Sequence, residues 1–201
     1  VVDRDLDCGP GGIIIQAGDV ELSLAGHRIS GTGGIGISIL VSSGEVKVLG
    51  PGSVAGFAIG VFISNRPGPV EVVDVLSDGC STGFSAAHSS TVHLRNNTAI
   101  GGASGFVLIL VDHSMLTGNR ANDNSSTGFD IRGNDNLVIG NKAFSNGEYG
   151  IALRYGSMRN EIISNEAMGN GSYDLYEDAS GCTTNHWLAN RFGSTNLYCI
   201  H

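Results

Sequence analysis

Basic side chains are scarce in this sequence. Its 201 residues carry 11 Lys and Arg against 19 Asp and Glu, a formal net charge of −8. Such a chain lacks the basic patch that draws nucleic acid or an anionic membrane surface, and its sign also works against a strongly polyanionic glycan. No apolar run approaches the ~18–20 residues that span a bilayer as a helix. No signal-peptide pattern opens the chain either, and Val1-Val2-Asp3 already reads as strand, as a mature or trimmed N-terminus would. There is no Cys-x2-Cys or His-x3-His spacing, so no metal-ligand set is legible. Helix formers at 3.6-residue spacing and a Leu-rich consensus are both absent, which excludes helical and leucine-rich repeats.

What is present is glycine at a fixed period. Gly12, Gly36, Gly60, Gly83, Gly105, Gly128 and Gly150 each open a short apolar phrase, at steps of 24, 24, 23, 22, 23 and 22 residues. An eighth phrase, Ser172-Tyr173-Asp174-Leu175, follows with Ser in place of Gly. A period of that length marks a solenoid whose repeats stack on one another. Within the repeats the apolar residues alternate with polar ones, as in Val20, Leu22 and Leu24 around Glu21 and Ser23. Period-two runs bounded by Gly, Asn, Ser and Asp read as strands and turns. The expected fold is an all-β, single-domain parallel β-helix spanning 1–201, with about eight rungs of 22–24 residues and a closing segment at 180–201.

Asparagine repeats with the same period. Asn97, Asn119, Asn141, Asn165 and Asn190 form one column, Asn124, Asn146 and Asn170 a second, and Asn136, Asn160 and Asn185 a third. Asn tolerates left-handed backbone and suits a sharp bend, and stacked amides can bond from rung to rung. The Asn-Asp-Asn phrases at 122–124 and 134–136 resemble Ca²⁺ ligands, but they fall on these bend columns, where turn chemistry accounts for them.

Four cysteines stand at 8, 80, 182 and 199. A Cys182–Cys199 bridge would staple the open C-terminal end, and one such bridge favours an extracytoplasmic home. Cys8 and Cys80 lie three rungs apart, roughly 14 Å at one strand spacing per rung, which is too far for a disulfide. Cys80 is then expected to be a buried thiol, while Cys8 is left either free or paired upstream.

The Gly-[Phe/Ile]-x-[Ile/Leu] phrases, the Asn-x4-Asn phrases NLVIGN, NEIISN and NHWLAN, and the early turn Gly26-His27-Arg28-Ile29 resemble right-handed parallel β-helix repeat proteins. This is the pectate-lyase-like superfamily, with its NosD-like and mannuronan-epimerase-like branches. The resemblance implies a right-handed coil and a secreted or periplasmic, carbohydrate-active role. The chain departs from the catalytic members. It has no Asp-Pro-His-Asp-like phrase, no paired Asp-Asp, and no acidic cluster with a matching Arg.

Chemistry is sought on the outward side of the glycine-led strands. If Ile151 and Leu153 point inward, the same parity turns outward Phe62 and Ser64, Ser85 and Ala87, Val107 and Ile109, Asp130 and Arg132, Ala152 and Arg154, and Asp174 and Tyr176. The strip is apolar in the middle rungs and charged toward the C-terminus. Asp130, Arg132, Arg154, Asp174 and Tyr176 fall within three rungs, about 10 Å, with Tyr155, Glu177 and Asp178 at the strand ends. Elimination from a uronate needs a cation for the carboxylate, a base and an acid. Arg132 or Arg154, His113 beside Asp112, and Tyr155 or Tyr176 are the candidates, with Asp130, Asp174 and Tyr155 as substrate contacts. Two function classes follow: a polysaccharide lyase- or epimerase-like enzyme needing no cofactor, or a non-catalytic glycan-binding or structural β-helix.

Overall fold

The computed structural model describes residues 1–64, 68–178 and 184–200. Within them the chain is all-β, and every strand pairing is parallel. It coils as a parallel β-helix of about eight turns. The first face is an eight-stranded sheet of Ile13–Ile15, Ile35–Ile39, Ile59–Ser64, Thr82–Ser90, Ser104–Asp112, Phe129–Arg132, Tyr149–Leu153 and Tyr173–Glu177, in chain order. The second and third faces are one continuous sheet in the early rungs, where Val46–Ala55 and Val70–Asp78 run through both. Beyond these strands they separate into two arms.

Register explains the apolar phrases. On the first face one inward column runs Ile13, Ile37, Val61, Phe84, Phe106, Phe129, Ile151, Leu175. Its three phenylalanines stack at centroid separations of 4.8 and 4.6 Å with rings within 7° and 5° of parallel. That is one strand spacing per ring, as expected when identical side chains sit in successive rungs. A second inward column runs Ile39, Ile63, Ala86, Leu108, Ile131, Leu153. The glycine column has a steric cause. A Cβ on Gly105 would lie 2.6 Å from the Gly128 carbonyl oxygen, and one on Gly128 would lie 2.6 Å from that of Gly150.

The asparagines are placed one residue away from where the bend argument puts them. The left-handed residues of the corners are Asp135 and Arg159, Gly118, Gly140, Ser164 and Ala189, and Asp123, Ser145 and Gly169. Each stands immediately before its Asn, and the Asn turns inward. Asn97, Asn119, Asn141 and Asn160 are wholly buried. Each buried Oδ1 accepts from the preceding rung's backbone N–H and, in most cases, from its Nδ2 as well: 2.9 and 3.0 Å for Asn119 to Asn141, and 3.2 and 3.0 Å for Asn124 to Asn146. The Nδ2 also donates to a carbonyl of the earlier rung, as from Asn141 to Leu116 at 2.8 Å. Buried amide capacity is thereby satisfied along the stack. Part of the ligand set of the Ca²⁺ alternative is engaged in such bonds. Asn124 and Asn136 are inward ladder amides, and Asp135 is held by Arg159 through two 2.7 Å bonds.

The last rung corrects the register expected from the repeat. Leu175 pairs with Ile151, Tyr176 with Ala152 and Glu177 with Leu153, so the final step is two residues longer than the phrase 172–175 suggests. Tyr173 is therefore 37% exposed rather than inward, and Leu175 does not stack on Leu153. Asp174, not Ser172, stands beside Gly150 and is turned in, 3% exposed. Among the described residues no further glycine-led strand pairs with it, so a side chain fits there. Residues 193–196 cover this edge: Asp174 N and Leu175 N donate to the Ser194 carbonyl at 3.1 Å, and Glu177 N donates to Asn196 Oδ1 at 3.0 Å. Cys8 and Cys80 are free thiols, and Cys80 is buried. The Cys182–Cys199 bridge involves Cys182, which lies outside the described residues.

Candidate functional site

The outward strip of the C-terminal rungs follows from strand parity. Val107, Asp130, Ala152 and Tyr176 align across four rungs, and Ile109 pairs with Arg132, which in turn lies beside Arg154. Asp130 is only 6% exposed although it points outward. Arg132 grips it with both Nε and Nη2, at 3.0 and 2.7 Å, and Arg154 Nε stands 3.9 Å from its Oδ1. One carboxylate thus sits between two guanidinium groups, which relieves the repulsion that two neighbouring cations impose. The Asp130 bonds raise the pKa of Arg132 further above its ordinary value, against a smaller opposing effect of burial.

Tyrosines surround this core. Arg132 lies over the Tyr155 ring at 4.7 Å and Arg154 over the Tyr149 ring at 4.9 Å. Tyr176 packs on Tyr149 at 4.5 Å and approaches Tyr173 at 6.0 Å. The result is a strip of four tyrosines and two arginines along three rungs, within cation–π range at two points. Arg154 also donates to Thr127 Oγ1 at 3.3 Å and stands 3.9 Å from Glu148. Burial, and secondarily Tyr149 and Asp178, raise the Tyr176 phenol above its ordinary pKa. Beside Arg132 and Tyr155 a cleft of about 150 Å³ opens, floored by Gly133, Gly156 and Ser157 and bounded by Leu110, Asp112 and Met158.

The structure brings together Asp130, Arg132, Arg154, Tyr155 and Tyr176. It sends Asp174 elsewhere. Its Oδ1 accepts from Asn170 N and Nδ2 at 3.0 and 2.7 Å, and its Oδ2 accepts from Gly193 N and Ser194 N at 2.9 Å each. It ends the second asparagine ladder rather than flanking the arginines, because the longer final turn puts it at the corner position of Gly150, where a side chain faces Asn170 and Ala167. Glu177 does the same for another ladder, accepting from Asn185 Nδ2 at 3.0 Å and Trp187 Nε1 at 2.7 Å. His113 is an exposed corner residue in left-handed conformation, with Asp135 of the next rung as its electrostatic neighbour. It follows Asp112, which lines the same cleft as Arg132 and Tyr155. Sequence reasoning missed Tyr149 because outward parity was counted only after the glycine. The Tyr149–Tyr173 pair, each just before the Gly150–Asp174 column, is the signal that would have found it.

Likeness to known proteins agrees with this architecture. A family model described as periplasmic copper-binding protein (NosD) matches residues 23–198. The chain belongs to the NosD family. No curated protein matches it. Among solved structures, two mutant forms of the periplasmic alginate epimerase AlgG are similar at TM-scores of 0.66 and 0.60. Their identities are 17% and 18%, over 88% and 94% of this chain and 55% and 57% of theirs. The A-module of the Azotobacter vinelandii mannuronan C-5 epimerase AlgE6 is similar at a TM-score of 0.52 and 15% identity, over 83% of this chain and 64% of that one. At such identities the likeness is one of fold. The chain spans between about half and two thirds of the length of these epimerases.

Proposed function

We propose that this NosD-family β-helix is an extracytoplasmic, carbohydrate-active protein that binds a polysaccharide along the C-terminal half of its first face. The observation that carries this is the strip itself. Four tyrosines and two arginines, one of them held by a carboxylate, lie along three rungs beside a cleft. Rigid aromatic faces with a few fixed polar groups are how proteins hold sugar rings and other small polar ligands. The periplasmic description of the family supports the location, and the epimerases that share the fold act on a polysaccharide.

The family description also names copper. Copper needs clustered imidazole, thiolate or thioether donors. Among the described residues no three His, Cys, Asp or Glu side chains converge, and the buried Cys80 thiol donates to the Val54 carbonyl at 3.5 Å. The imidazole, thiol and carboxylate groups of the described residues therefore do not assemble a copper centre.

Glycan-array binding tests the proposal. Replacing Arg132 and Arg154 alone would strand the Asp130 carboxylate in a buried site, so the informative variant is Asp130→Asn/Arg132→Ala/Arg154→Ala together, beside Tyr176→Ala. Both should lose at least about tenfold in affinity, roughly 1.4 kcal/mol, and keep a cooperative melt. Unchanged binding would refute the site. A second reading, lyase- or epimerase-like turnover, is favoured by one observation: the Tyr176 phenol lies within the arginine strip, packed on Tyr149 at 4.5 Å, where a hydroxyl can donate a proton to a leaving oxygen. Ultraviolet absorbance of unsaturated products, or NMR of C5 configuration, checks it.

A further inference from the structure

The charges around the strip argue for the kind of sugar, an inference that rests on the glycan-binding reading. Two guanidinium groups, Arg132 and Arg154, stand among four carboxylates: Asp112, Asp130, Glu148 and Asp178. Two cations against four anions leave the surroundings two charges negative, on a chain whose own net charge is −8. A polyuronate approaching this face meets repulsion, and Asp130 already occupies the Arg132 fork that would receive its carboxylate. A neutral glycan meets neither obstacle.

The cleft narrows the class further. Tyr155 is 73% exposed, with Arg132 against one face of its ring. The other side is open to a sugar ring. Next to it, Asp112 Oδ1 accepts from Asn134 N at 2.6 Å, and Asn134 Oδ1 accepts from Met158 N at 2.9 Å. Asp112 Oδ2 and Asn134 Nδ2 make no hydrogen bond among the described residues, although Asp112 feels the charge of Arg159, which leaves one acceptor and one donor at the cleft. Leu110 and Met158, 59% and 45% exposed, add an apolar wall. The space is small, about 150 Å³. A donor, an acceptor and a methyl group in so small a space describe an acetamido arm. Its N–H meets Asp112, its carbonyl meets Asn134 Nδ2, and its methyl meets Leu110 and Met158.

We propose that the cleft between Tyr155 and Leu110 is a subsite for a neutral N-acetylated hexosamine, and that the face selects neutral acetamido glycans over polyuronates. The test is calorimetric titration with three tetrasaccharides: N-acetylglucosamine, glucose and mannuronate. The N-acetylglucosamine oligomer should bind, the glucose oligomer at least about tenfold more weakly, and the mannuronate oligomer not measurably. Asn134→Asp keeps the acceptor that holds Met158 and removes the donor. It should weaken the acetamido ligand about tenfold more than it weakens the glucose oligomer. Met158→Ala serves as a second variant, with a smaller loss confined to the acetamido ligand. Mannuronate binding as tight as N-acetylglucosamine binding, or an Asn134→Asp variant with parent affinity, overturns the subsite while leaving glycan binding in place. Failure of all three oligomers overturns both the subsite and the glycan reading.

Discussion

At the scale of single residues, the buried carboxylates and the raised phenol make the sharpest claims. Asp174 accepts from four backbone or amide donors on its two oxygens. Asp174→Asn would turn an NH₂ toward donors on one side, leaving buried groups unpaired, and should cost about 1–3 kcal/mol in urea unfolding. Tyr176 carries a pH prediction. Its folded pKa is raised above the unfolded value, so the folded state keeps the proton longer. The stability that this linkage contributes is fully present below the unfolded pKa of about 10 and is lost as pH rises through the folded one. Tyr176→Phe should therefore lose less stability than the parent between neutral and strongly alkaline pH, as followed by chemical denaturation. The inward turn of Asp174 was not legible. The phrase Ser172-Tyr173-Asp174-Leu175 mimics the repeat, and only pairing with the rung before it reveals the two-residue shift.

At the scale of strands and corners, two glycines separate crowding from conformation. Gly128 has the Gly150 carbonyl and Asn146 Nδ2 where a Cβ would go, at 2.6 and 2.9 Å. Gly140 has nothing within 4 Å and a φ of +65°, and its column equivalents Ser164 and Ala189 carry side chains at φ +53° and +55°. Gly128→Ala must push rungs apart and should cost about 1–3 kcal/mol. Gly140→Ala meets only the left-handed backbone penalty of about 1–2 kcal/mol. Thermal melts of the two variants check that order, and a Gly128→Ala variant as stable as Gly140→Ala would contradict the packing argument. The strands themselves were readable, because each repeats one environment and so one residue class. The asparagine columns were readable as columns. Their inward placement, one residue past the left-handed corner, was not, because bend propensity alone does not say which of two neighbours turns in.

At the scale of the whole molecule, each rung contacts its neighbours and stability is a sum over interfaces. Phe106 stands between two stacked rings and is wholly buried, so Phe106→Ala should cost about 3–5 kcal/mol. Ile14, on the first strand of the same face, is 61% exposed, and Ile14→Ser should stay within about 0.5 kcal/mol. Equilibrium unfolding of both variants tests whether interior rungs outweigh the N-terminal one.

The sequence by itself determined the solenoid, its period, its three asparagine columns and the outward Asp130, Arg132 and Arg154. All of these are consequences of translating one unit along an axis, where a residue's neighbours are its own equivalents one period away. Only the tertiary structure decided what happens where that translation stops or bends. It set the register of the last rung and made Asp174 and Glu177 ladder ends instead of surface acids. It left His113 exposed on a left-handed corner and stacked Tyr149 with Tyr176 over the strip. Those outcomes depend on the length of a single turn and on contacts that no other repeat makes, so no periodicity encodes them.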